Sequence, residues 1–90
     1  MTSMSMTEPR RAIRDKVIAL AVRRGVEVSD LKDSDVIPER GVLDSVAVLE
    51  LIAWFEMTFD LTIDQPDLTI ENFGSIDAMT SYVRRAGIGG

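Results

Sequence analysis

Val46-Ala47-Val48-Leu49-Glu50-Leu51-Ile52-Ala53-Trp54-Phe55-Glu56-Met57-Thr58-Phe59 is apolar at eleven of its fourteen positions, with Glu50, Glu56 and Thr58 the exceptions. No alternation of apolar and polar residues runs through it. The segment therefore reads as a helix that starts at Asp44 or Ser45, both favoured caps, and ends near Asp60. Projected at about 100° per residue, Val48, Leu51, Ile52, Phe55 and Phe59 form a stripe wide enough to face a core. Val46, Ala53 and Met57 then lie nearly opposite, with Ala47 and Trp54 beside them. Glu50 falls within this outward group and Glu56 at its margin. A helix apolar on nearly all sides is either buried all round or offers a surface to a partner. Ninety residues can hardly surround a whole helix, which favours the partner surface. The competing expectation is that the first helix or a long loop covers Trp54 and Met57.

Further helices are expected around this one. The first runs from about Glu8 to Arg24, with Thr7 as its cap and Pro9 tolerated in the first turn. Its core stripe is Ile13, Val17, Leu20 and Ala21, and Gly25 stops it. A short third helix is expected near Pro66–Asn72. A fourth starts at Ser75 and places Ile76, Met79 and Val83 on one face. Residues 26–43 mix charges with Pro38 and Gly41, show no helical period, and read as a long loop between the first and second helices. Long ordered loops in compact domains are often functional. The expected fold is all-α: a four-helix bundle of three main helices plus the short third one. Residues 8–85 form the domain, flanked by flexible tails at 1–7 and 86–90.

Composition closes most catalytic routes. The chain has no Cys and no His. It therefore offers no disulfide, thiol nucleophile or thiolate metal site, and no imidazole base or ligand. An autonomous enzyme is not expected. No apolar run approaches the roughly 18 residues of a membrane span. Met1–Thr7 lacks the basic start and apolar core of a secretory signal, so the expected setting is cytoplasmic. Residues 1–24 carry six basic and two acidic groups, whereas residues 25–83 carry two basic and thirteen acidic ones. A basic first helix raises the question of nucleic acid, but the acidic remainder would repel phosphate, so no nucleic-acid partner is expected.

Ser45 stands where a phosphate-linked group would be stabilised, because a helix start offers free N–H donors and the positive end of the dipole. It is a poor nucleophile in its own right, with no His and no nearby lysine to take its proton. Chemistry at Ser45 would need another enzyme. The stretch Gly41–Phe59, with Asp60-Leu61-Thr62-Ile63 after it, resembles the acyl carrier protein family. The likeness continues through Leu68-Thr69-Ile70-Glu71-Asn72-Phe73 and Ser75-Ile76-Asp77-Ala78 and covers roughly residues 10–85. Members are small four-helix bundles that carry 4′-phosphopantetheine on the serine of an Asp-Ser-Leu-like motif, which here reads Asp44-Ser45-Val46. The resemblance implies that Ser45 is the attachment site and Asp44 the neighbour read by a phosphopantetheinyl transferase. It further implies that the second helix is the main recognition surface, and that the arm supplies the thiol holding an acyl or aminoacyl group as a thioester. Such carriers act as monomers and present their cargo to other enzymes.

The sequence departs from the fatty-acid members, whose recognition helix is more acidic. Only Glu50 and Glu56 remain on this helix, while Val46, Ala47, Ala53, Trp54 and Met57 suit an apolar partner groove. A specialised carrier is expected, with a dedicated acyl or aminoacyl ligase and a downstream transferase or synthase. The alternative is a helical adaptor that binds a partner through the apolar outer face of the second helix, with Ser45 only a cap or a phosphorylation site. Asp33-x-Asp35 begins like a calcium loop, but Pro38 falls where glycine is needed and Asp44 where glutamate is needed. No metal site is expected.

Overall fold

In the computed structural model, residues 9–86 are described. The expected cap Thr7, residue Glu8 and both proposed tails, apart from Ala86, lie outside that range. The described residues form five α-helices and no strand, with three long helices and two of a single turn.

Helix α1 (Pro9–Arg23) buries Ile13, Val17, Leu20 and Ala21, the four residues of the expected stripe. Gly25 at φ 79° then turns the chain, a conformation open to glycine because it has no Cβ. Residues 26–44 are less loop-like than their sequence suggests. Ile37–Arg40 form one helical turn, α2, with Pro38 near its start and Gly41 closing it at φ 64°. Four residues are too few to show a period, so only this bracketing could have revealed the turn.

The apolar segment forms α3 (Ser45–Phe59). The Asp44 carboxylate accepts the Ala47 N–H at 2.8 Å, and Asp60 ends the helix in the left-handed region at φ 53°. The expected third helix is split in two. A 3₁₀ turn at Gln65–Asp67 is followed by α4 (Ile70–Phe73). Thr69, in extended conformation, caps the Asn72 N–H at 3.2 Å and starts the second piece afresh. Helix α5 (Ile76–Arg85) begins at Ser75, whose hydroxyl accepts the Ala78 N–H at 3.0 Å. Its buried residues Ile76, Met79 and Val83 are those expected, joined by Thr80 and Tyr82.

Helix α5 packs against α1 and α4, and α1 packs against α3. Phe55 occupies the centre of the core and is fully buried. Its ring meets Phe59, Phe73 and Tyr82 edge-on, at centroid distances of 5.0, 5.3 and 6.3 Å.

Residues 26–44 are held down from both sides. Val28, Leu31, Ile37, Val42 and Leu43 are buried in the core. Arg14 reaches Asp33 at 2.8 Å and the Leu31 carbonyl at 2.9 Å, while Arg10 bridges Asp33 and Asp77. Arg40 clasps Asp30 at 2.8 Å and Asp35 at 2.6 Å, which holds the Asp30 carboxyl below its ordinary range. Three of the loop's acids are thus partners of arginines. The basic face of α1 is likewise engaged within the molecule at Arg10, Arg14 and Arg23, as is Arg24 just after it.

The Gly74 carbonyl accepts the Ile37 N–H at 2.7 Å and so ties α2 to the α4–α5 turn. A Cβ on Gly74 would stand 2.5 Å from the Ile70 carbonyl oxygen. Gly74→Ala should therefore destabilise the protein by about 1–3 kcal/mol through forced backbone movement, read from denaturant midpoints.

Tyr82 is buried and its hydroxyl donates to Asp67 at 3.0 Å. Desolvation, with the hydrogen bond next, raises its ionisation above the ordinary value of 10.0. Because the folded state favours the neutral phenol, this contribution is intact below the unfolded value and lost as pH rises through the folded one. Tyr82 is the only tyrosine. A phenolate absorbance titration should place its midpoint above 10.0, at higher pH than in the denatured chain.

Candidate functional site

Ser45 is the first residue of α3 and its side chain is exposed. What precedes it is fixed. Val42 and Leu43 are buried, and Asp44 uses one carboxylate oxygen to cap Ala47. The other oxygen lies 3.4 Å from Nε of Arg24, just past the end of α1. The same guanidinium donates through Nη1 to the Val42 carbonyl at 2.8 Å and to the Gly41 carbonyl at 3.4 Å. Arg24 is a site residue the sequence reading missed. Its partners lie 17 to 20 positions away in the chain, so no local spacing reveals it.

The faces of α3 differ from the projection. Ala47, expected outward with the recognition residues, is 5% exposed and belongs to the core line Ala47–Leu51–Phe55. Val48, expected inward, is exposed, and Ile52 and Phe59 are only partly buried. The physical reason is that a helix apolar on nearly all sides has little preference for one orientation. The neighbouring elements, rather than side-chain size, select the buried face. Trp54 is also less outward than expected. It packs partly against the core and lies edge-on to Phe59 at 5.8 Å.

Val46, Ala53 and Met57 do face outward, and Leu49 joins them. Val46, Leu49 and Met57 are 72%, 70% and 80% exposed. These four residues recur at helical spacing and form an apolar row along the solvent side of α3. The two acids of the helix take no part in it. Arg23 binds Glu50 at 2.6 Å and holds its carboxyl below the ordinary range. Glu56 accepts the N–H of buried Ile63 at 2.8 Å, bracing the chain after the helix.

A pocket of about 270 Å³ opens between α2, the first half of α3 and the Leu68–Gly74 segment. Leu43, Val48, Ile52, Leu68, Ile70 and Phe73 are among its lining residues, none of which is charged. Leu43, two positions before Ser45, is on its wall, while Ser45 itself does not line it.

These residues meet the local requirements of a phosphate-linked group on Ser45. The hydroxyl is accessible, the helix start offers N–H groups and a positive dipole end, and Asp44 is oriented by its cap and by Arg24. Among the described residues, no cluster of acidic side chains is arranged to hold a metal ion, and no helix is long and apolar enough to cross a membrane. Comparisons with protein-family models, curated proteins and solved structures found no match.

Proposed function

We propose that the chain is a carrier domain whose Ser45 receives 4′-phosphopantetheine from a phosphopantetheinyl transferase. When bound, the arm supplies a thiol that holds an acyl or aminoacyl group as a thioester for presentation to partner enzymes. The observation that carries this reading is the placement of an exposed Ser45 at the start of α3, directly after the capping Asp44, on a helix whose first half also lines an apolar pocket. On this reading the three long helices and the short α4 are the four members of the carrier bundle, and α2 is an embellishment of the long connection.

Each residue then has a physical task. Ser45 provides the hydroxyl oxygen and Asp44 fixes the helix start. Leu43, Val48, Ile52 and Phe73 offer apolar surface to cargo that folds back. Val46, Leu49, Ala53 and Met57 meet partner enzymes. Because Glu50 and Glu56 already have internal partners, docking depends on apolar contact more than on steering by charge. This is the chemistry of a dedicated ligase and a downstream transferase or synthase, in a monomeric cytoplasmic carrier.

The exposed row on α3 also favours a second reading, in which the chain is an adaptor and Ser45 a cap or phosphorylation site. Incubation with coenzyme A and a broad-specificity transferase separates the two. A mass gain equal to the arm, mapped to Ser45, supports the carrier. No gain under conditions that modify a control carrier supports the adaptor.

A further inference from the structure

We propose that Arg24 is a positioning residue for Ser45, tying the turn before α3 to the end of α1 and thereby setting the rate at which Ser45 is modified. This inference rests on the carrier reading and deepens it.

The observations converge on one guanidinium. Arg24 engages the Val42 carbonyl at 2.8 Å, the Gly41 carbonyl at 3.4 Å and the Asp44 carboxylate at 3.4 Å. Three of the four residues immediately before Ser45 are therefore held by one side chain. The planar fork of arginine suits this task, since its donors leave in fixed directions and can serve several acceptors at once. The Arg24 side chain is 33% exposed and that of Asp44 52%, so solvent screens the ion pair and the hydrogen bond to the Val42 carbonyl carries most of the tie.

The remaining contacts of the turn do not replace it. Gly41 donates to the Pro38 carbonyl at 3.1 Å, and Val42 donates to the Ile37 carbonyl at 3.4 Å. Those bonds use N–H groups, whereas Arg24 meets the carbonyl side of the same residues. Asp44 is held at both oxygens, by the Ala47 N–H and by Arg24, and so cannot swing without breaking one of them. Arg24 also places a positive charge beside Asp44, where modification of Ser45 adds a second negative charge one residue away. Like charges so close repel, and a fixed cation offsets the repulsion.

A bond forms from Ser45 Oγ to the phosphorus on the pantetheine side of the coenzyme A pyrophosphate. The bond from that phosphorus to the bridging oxygen breaks, and adenosine 3′,5′-bisphosphate leaves with the electron pair. The hydroxyl proton passes to a base on the transferase, because both oxygens of the neighbouring Asp44 carboxylate are engaged, by the Ala47 N–H and by Arg24.

The test uses the full chain with Arg24→Ala, Arg24→Lys and, as a charge control on α1, the exposed Arg11→Ala. Transfer from coenzyme A is followed by intact mass, and amide exchange is followed at residues 42–47. Arg24→Ala should lower kcat/KM about tenfold, the size of one lost charged hydrogen bond, and speed exchange in the turn while α5 stays protected. Arg24→Lys keeps the charge without the fork and should recover only part of the rate and none of the exchange protection contributed by Nη1. Arg11→Ala should match the unsubstituted protein. Unchanged exchange in Arg24→Ala overturns the inference whatever the modification assay shows. An unchanged rate in Arg24→Ala, with the unsubstituted protein modified normally, overturns it while leaving the carrier reading intact. Failure of the unsubstituted protein to be modified overturns both. If Arg24→Ala does not fold, Arg24→Lys decides: full rate and full protection would show that charge alone suffices and reject the positioning role.

Discussion

Phe55→Ala is expected to lower stability by about 3–5 kcal/mol, the usual cost of removing a buried phenyl ring. The ring is fully buried and is the shared partner of Phe59, Phe73 and Tyr82, which come from α3, α4 and α5. Deleting it removes apolar burial and leaves a void that three aromatic edges must collapse into or leave empty. A small domain has only about 5–15 kcal/mol in total, so the variant should approach the threshold of folding. The melting temperature should fall by about 4–8 °C for each kcal/mol lost. Trp54 is the only tryptophan and its ring lies 6.5 Å from Phe55, so its fluorescence reports the transition locally. A loss below about 1 kcal/mol would contradict the placement of Phe55 at the centre of the core.

The parts of this fold written in local chemistry are legible in the sequence. Asp44 and Ser75 cap the N–H groups three positions on, and such caps depend on nothing distant. The stripe of α5 is equally clear, because polar residues on its other sides leave one choice of buried face. Helix α3 carries no such contrast. Its line Ala47–Leu51–Phe55 is selected by what packs on it, and a reading guided by apolar size favours Val48 over Ala47.

The same division holds for the site. Ser45 and Asp44 stand out as a pair at a helix start, whereas the contributions of distant chain do not. Arg24 becomes part of the site only when the end of α1 is brought beside residues 41–44. The pocket likewise needs α2, α3 and the Leu68–Gly74 segment together. The charge asymmetry of the sequence also acquires a structural meaning. Arginines of residues 1–24 are partners of Asp33, Asp77, Glu50 and Asp44 in the acidic remainder.

Ser45→Ala should abolish covalent modification while leaving the fold intact, and this is the largest functional effect expected. Ser45 is exposed at the first position of α3, and Asp44 rather than Ser45 provides the cap. Its replacement by alanine, a good helix former, should change stability by no more than about 0.5 kcal/mol. The hydroxyl is nonetheless the sole atom to which the arm can be joined at this position, so its removal leaves no residual reaction. Phosphorylation by a kinase would also be lost in this variant, but only the carrier reading requires coenzyme A as donor. The most direct measurement is therefore the intact mass of the unsubstituted and Ser45→Ala proteins after incubation with coenzyme A and a broad-specificity phosphopantetheinyl transferase. The carrier account predicts a gain of one 4′-phosphopantetheine arm on the unsubstituted protein and none on Ser45→Ala, at equal helicity. An unsubstituted protein that stays unmodified while a control carrier is fully converted, or a gain that persists in Ser45→Ala, would contradict it.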